Sequence, residues 1–172
     1  MGPYGGEVTT IVALRLDGES QERFEALRRA YFPPERNLIG AHVTLFHTLP
    51  DSEDVAMGLA AVAGRRGPFG VEVSGVRSLG RGVAFTLESA ELLRVHGELA
   101  EKFGEYLTTQ DRQRFMPHVV VQNKVTSGAA AALLTTLRAT FEPATVEARG
   151  LQWWEYLGGP WRLKRSFDFV AG

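Results

Sequence analysis

Two histidines in this 172-residue chain stand at the head of β-forming runs: His42 in Ala41-His42-Val43-Thr44-Leu45-Phe46 and His118 in Pro117-His118-Val119-Val120-Val121-Gln122. Side chains alternate along a strand, so His42 is expected to share a face with Thr44 and Phe46, and His118 with Val120, Gln122 and Lys124. An imidazole of ordinary pKa, near 6.5, holds or releases a proton at neutral pH. Two of them over one phosphorus atom can take a proton from an attacking oxygen while delivering another to a leaving oxygen. A hydroxyl two residues on and pointing the same way, that of Thr44, can donate to a non-bridging phosphate oxygen. This is phosphodiester chemistry that requires no metal. The sequence offers no convincing metal-ligand cluster and, having no cysteine, no thiolate nucleophile.

Such a pair needs a scaffold that brings its members together, and the chain carries a repeated one. Residues 9–16 read as a buried strand, and Asp17 to Ser20 offer N-caps for a helix carrying Phe24, Leu27 and Tyr31. Pro33-Pro34 ends that helix, since neither proline has an N–H and each restricts the residue before it. The first histidine strand follows at about 38–49, then a helix capped at Asp51-Ser52, then a hairpin of 71–76 and 82–87 about Gly80-Arg81-Gly82. The order then returns. A helix opens at Ser89, the second histidine strand runs at about 115–125, an alanine-rich helix opens at Thr126-Ser127, and a hairpin of 145–157 and 161–169 closes the chain. Segment 12–16 matches 83–87 at an offset of 83 − 12 = 71, His42 matches His118 at 118 − 42 = 76, and 71–76 matches 146–151 at 146 − 71 = 75. The expected fold is α+β, a single bilobal domain over 1–172 with approximate halves 1–82 and 83–172. Two antiparallel sheets related by a pseudo-two-fold should carry helices on their outer faces and leave a central cleft between the histidines.

The runs His42-Val43-Thr44-Leu45 and His118-Val119-Val120-Val121 resemble the paired H-x-T/S-x motifs of the 2H phosphoesterase superfamily, in particular its bacterial 2′-5′ RNA ligases and RNA 2′,3′-cyclic phosphodiesterases. The approach Phe115-Met116-Pro117-His118, the exit Gln122-Asn123-Lys124 and the late Tyr156-Leu157-Gly158-Gly159-Pro160-Trp161 are similar too, so the resemblance covers nearly the whole chain. It implies metal-independent, cofactor-free opening of a 2′,3′-cyclic phosphate to a 2′-phosphate, on RNA ends or cyclic nucleotides. In some members it also implies reversible 2′-5′ joining. By the same resemblance His42 and His118 are the acid/base pair and Thr44 a phosphate ligand. One position departs from the pattern: the second hydroxyl is replaced by Val120, which donates nothing. A neutral hydrogen bond contributes about 0.5–1.5 kcal/mol net, so a weakened enzyme is expected, with a binding-only member of the fold as the alternative. Gln122, Lys124 and Arg114 are the candidate replacement donors.

Other residues read more plainly. His47, five residues from His42, is expected on the opposite face of its strand in a structural or surface role, and His96 on a helix flank. Alternation along a buried hairpin accounts for most of Trp153, Trp154, Tyr156 and Trp161. Trp161 or Tyr156 is the expected base stacker, an interaction of about 1–3 kcal/mol per base. A net charge of −1 argues against coating long nucleic acid by bulk electrostatics, although eight Lys/Arg against four Asp/Glu from Arg112 onward leave a local basic surface. No run is apolar for long enough to span a bilayer, and the N-terminus lacks a secretory pattern. The expectation is a cytoplasmic monomer with no membrane or protein partner.

Overall fold

Each main helix starts where a short polar side chain takes up an otherwise unpaired backbone N–H. In the computed structural model, which describes residues 8–170, Asp17, Ser52, Ser89 and Thr126 each accept from the N–H three residues on, at 3.0, 3.4, 3.0 and 3.1 Å. They cap α1 (Gly18–Tyr31), α2 (Glu53–Ala63), α3 (Ala90–Lys102) and α4 (Ser127–Thr140). The N-terminal segment 1–7, on which the expectation of no secretory pattern falls, lies outside the described residues.

The strands are β1 (Thr9–Leu16), β2 (Val43–Pro50), β3 (Phe69–Ser78), β4 (Val83–Glu88), β5 (His118–Gln122), β6 (Ala144–Tyr156) and β7 (Trp161–Asp168). They form one seven-stranded sheet in the order β2-β1-β6-β3-β4-β5, with β7 also on β6. That order reads the same backwards when β1, β2 and β3 are exchanged for β4, β5 and β6, the pairing that the sequence offsets require. Val71 and Val146, matched at the offset of 75, face each other across β3 and β6. The pseudo-two-fold therefore passes through this pair, and the two expected sheets are joined edge to edge there.

Helices are exchanged between the repeats. The first repeat's α1 packs on β5, while the second repeat's α3 reaches β2 through His96, whose ring stacks on Phe46 at 4.7 Å. Each histidine strand is thus backed by the other repeat's helix. One apolar core runs through both halves, with Phe46, Phe103, Leu59 and Leu151 among its largest fully buried side chains. Gly82 lets the β3–β4 turn press on the end of β5, because a Cβ there would lie 2.1 Å from the Gln122 carbonyl oxygen. The edge strands β2 and β5, at opposite ends of the sheet order, nevertheless touch. The sheet curls until its two histidine-bearing edges meet.

Candidate active site

Both histidines are held in the same way. His42 Nδ1 lies 2.8 Å from the Gly40 carbonyl oxygen, and His118 Nδ1 lies 2.8 Å from that of Met116. A carbonyl only accepts, so Nδ1 carries the proton in each neutral ring and Nε2 is left with the free lone pair. Each ring can then take a proton at Nε2 or, once charged, give one. The supporting carbonyl lies two residues back in both cases, so one repeat's construction is copied in the other.

Burial governs the charge on the pair. Desolvation pushes His42 down to about 4, the Gly40 carbonyl partly opposing it and the positive fields of Arg28, His118 and His47 adding to it. Desolvation also lowers His118, against the Met116 carbonyl and with the fields of Arg77 and His47. The influence of each histidine's surroundings is of one kind, but the larger shift belongs to His42.

Two depressions flank the rings. His42 borders one of about 330 Å³ with Trp154, Trp161, Gln152 and Arg15, and its ring centroid is 4.6 Å from that of Trp161. Trp154 and Trp161 lie 6.2 Å apart, centroid to centroid, forming an aromatic wall. His118 and Thr44 border the other, of about 350 Å³, with His47, Arg77 and Arg114. Among the described residues no group of three or more potential metal ligands comes together, and no helix is long and apolar enough to cross a membrane.

From the sequence-predicted set the structure places His42 against Trp161, and His118 with Thr44 and Arg114 around the neighbouring depression, and it gives Val120 the position in β5 that Thr44 has in β2. Gln122 and Lys124 are placed elsewhere, for one physical reason. Val83 pairs with Gln122 but Ala84 pairs with Val120, so Val121 is an extra residue, a β-bulge. Past the bulge the alternation reverses. Val121 and Gln122 both turn inward, Gln122 being 7% exposed with its Oε1 unpartnered. Lys124 follows the strand's end on a left-handed backbone (φ 61°) and points into solvent on the way to α4.

The first repeat has the same bulge. Val12 pairs with Phe46 and Ala13 with Thr44, leaving Leu45 extra, and both Leu45 and Phe46 are buried. Phe46 therefore belongs to the core, and His47 returns to the cleft side, correcting the expectation that it faces away from His42. Its Nδ1 lies 3.0 Å from the buried Asp111 carboxylate, which also accepts from the backbone N–H groups of His47 and Thr48. His96 is more than a flank residue: its ring lies between Phe46 and Phe115, at 4.7 and 4.0 Å. Trp153 is core, whereas Tyr156 is exposed away from the lining of the site.

Three residues that support or line the site escaped sequence reasoning. Arg28 is 3% exposed, donates to the Val120 carbonyl at 3.0 Å and to Asn37 Oδ1 at 3.0 Å, and stacks on Phe32. Its signal was present: Ser20, Phe24 and Arg28, at helical four-residue spacing, are the buried residues of α1, which is thus rotated from the expected Phe24/Leu27/Tyr31 stripe. Arg77 beside His118 and Gln152 beside His42 are repeat counterparts, 152 − 77 = 75, so the offset itself paired them.

The same architecture recurs in solved proteins. The structure of E. coli LigT complexed with 3′-AMP matches with a TM-score of 0.63 and 17% identity, over 96% of this chain and 100% of that one. The protein TT0787 of Thermus thermophilus matches with a TM-score of 0.65 and 16% identity, over 94% and 97% of the two chains. A further structure described as a phosphoesterase gives 0.60 and 17%, over 95% and 99%. No curated protein is similar enough in sequence to count as a relative. The family model of the 2′-5′ RNA ligase superfamily, however, matches residues 16–160, spanning both histidine motifs and Trp154 of the aromatic wall, and the chain belongs to that superfamily.

Proposed function

We propose that the protein is a metal-independent phosphodiesterase that opens 2′,3′-cyclic phosphates on RNA ends or nucleotides. The observation that carries this reading is the matched anchoring of the two imidazoles, each with Nδ1 tied to a backbone carbonyl and Nε2 free. Neutral His42 accepts a proton from water as its oxygen attacks phosphorus. The P–O3′ bond breaks and His118 Nε2–H gives its proton to O3′, leaving a 2′-phosphate. Proton exchange with solvent resets the pair. Thr44 donates to a non-bridging oxygen, and the Trp154/Trp161 wall offers a stacking surface for a base. With a 5′-hydroxyl in place of the attacking water, the same residues would join it to the cyclic-phosphate end through a 2′-5′ linkage, the P–O3′ bond again breaking and O3′ taking the proton from His118. LigT, which shares the fold, has been crystallised with 3′-AMP, which supports a nucleotide as ligand.

The test is the pH profile of kcat/KM on adenosine 2′,3′-cyclic phosphate, with the product isomer identified. Both rings titrate below their ordinary value. As pH rises, activity should climb through about 4 as His42 loses its proton, then fall as His118 loses its own, below about 6.5. This places the optimum on the acid side of the limbs that unperturbed imidazoles would give. A bound phosphate anion raises both values, so the limbs of kcat should lie above those of kcat/KM. A flat profile, or a 3′-phosphate product, defeats the assignment.

A binding-only protein is the second reading, and Val120 favours it. Its side chain lies on the cleft side of β5, so a hydroxyl there is solvated in the free protein and aimed at the phosphate in the complex. Val120→Thr should therefore raise kcat/KM several-fold, corresponding to about 0.5–1.5 kcal/mol. Nucleotide affinity without turnover, in the wild type and in this variant alike, establishes the second reading instead.

A further inference from the structure

We infer that Arg77 and Arg114 form a second phosphate subsite beside His118, so that the preferred substrate carries another phosphate one nucleoside away from the reacting one. This rests on the proposed phosphodiesterase reading and names its substrate class: phosphorylated or oligomeric cyclic-phosphate ends rather than bare cyclic nucleosides.

Arg77 is half-buried on β3 and Arg114 exposed on the loop before β5, and both line the depression that holds His118 and Thr44. Among the described residues neither guanidinium has a carboxylate within ion-pair distance, whereas seven other arginines in the molecule do. Asp111, the one acid in the depression among the described residues, is committed to the N–H groups of His47 and Thr48 and to the His47 ring. A half-buried guanidinium without an acid partner leaves its forked donors and its charge for an anion.

The position of the charge matters. Arg77 acts against protonation of His118 in the free protein, the ring that must carry the proton to be delivered. An anion held on Arg77 cancels that effect, so substrate binding itself favours the charged acid. There is also room for more chain. Arg77 and Arg114 line a second groove of about 520 Å³ that runs past Met116 and Leu93, exposed at 55% and 52%. Glu88 lies in that groove without reaching ion-pair distance of either arginine among the described pairs. The opposite depression, by His42, is aromatic and its Arg15 is paired with Asp168. The cationic end of the cleft is the His118 end.

The experiment compares kcat/KM for adenosine 2′,3′-cyclic phosphate, its 5′-phosphorylated form, and a diadenosine dinucleotide ending in the cyclic phosphate. The substrates with a second phosphate should be preferred by about 10- to 100-fold, the range for hydrogen bonds to charged groups. Preference for the monophosphate identifies a terminal phosphate as the occupant, and preference for the dinucleotide an internucleotide one. The preference should collapse toward one in Arg77→Gln and shrink in Arg114→Gln, and persist in Arg94→Gln, which removes a charge on α3 that Glu91 already pairs. Equal use of all three substrates by the wild type overturns the subsite. So does a uniform loss in Arg77→Gln, which puts Arg77 on the reacting phosphate. If no substrate is turned over, the phosphodiesterase reading fails, and calorimetry with 5′-AMP against adenosine decides the subsite: tighter binding of 5′-AMP in the wild type and not in Arg77→Gln retains it, and equal binding removes it.

Discussion

His118→Ala should lower turnover of a cyclic-phosphate substrate by about 10²–10⁴-fold, the usual contribution of one positioned general acid or base, and His42→Ala by a similar factor. The double variant should be little worse than either single one, because once one proton transfer has no partner the other cannot complete the step. The pH profiles separate the two roles. Loss of His42 should remove the acidic limb and loss of His118 the basic one, an effect that mere misfolding does not produce. His42→Ala also has a stability signature whose sign is fixed by linkage. The native ring is held at about 4, whereas the unfolded chain takes up a proton near 6.5. Between these values the unfolded state binds more protons, so stability falls as pH drops through that window and is unaffected by this group above it. The variant lacks that dependence, and its Tm should decline less than the wild type's from pH 7 to pH 4. Turnover retained within a factor of about three in either single variant removes the two-histidine mechanism.

The parts of this site visible in sequence are those that the repeat encodes as residue type: two histidines, one hydroxyl, and the order of elements around them. The offsets of 71, 76 and 75 were enough to anticipate which strands are equivalent, and hydrophobic runs with short polar caps marked the helices. What strict alternation missed was the bulge after Thr44 and its copy after Val120. A single inserted residue moves every later side chain to the other face, and no residue type announces it. That one displacement took Gln122 into the core and brought His47 into the cleft. Arg28 and Arg77 were hidden for a different reason. They come from α1 and β3, outside the motifs, and the exchange of helices sets Arg28 against the β5 backbone while Arg77 lines the depression beside His118. Asp111 was hidden likewise, since the loop that carries it has no strand or helix pattern to orient it.

Asp111→Ala should be the most destabilising single change near the site. The Asp111 side chain is 1% exposed and accepts four contacts: the His47 N–H at 2.9 and 3.0 Å, the Thr48 N–H at 3.0 Å and His47 Nδ1 at 3.0 Å. It is the tie between β2 and the loop leading to His118, which also carries Arg114, Phe115 and Met116. Removing it leaves two backbone donors and a ring nitrogen facing a cavity, each worth about 1–3 kcal/mol if unpaired. With partial rescue by water the cost should be about 2–4 kcal/mol, a fall in Tm of roughly 5–15 °C for a chain of this size. Asp111→Asn keeps one acceptor oxygen and should cost about half as much. Burial works to raise the Asp111 pKa, but the His47 ring and the N–H groups of His47 and Thr48 outweigh it and hold the carboxyl below its ordinary value. Its contribution to stability is therefore complete above about pH 3.9 and is lost as pH falls through the native value, a loss that Asp111→Ala should not show. The loop should also open locally before the molecule unfolds, so limited proteolysis ought to cut the variant between residues 103 and 117 while β2 stays intact. Because the Met116 carbonyl orients His118, turnover should fall even at temperatures where the variant is fully folded. An unchanged Tm together with unchanged resistance to proteolysis would mean that the stack of Phe115 on His96 holds the loop without Asp111.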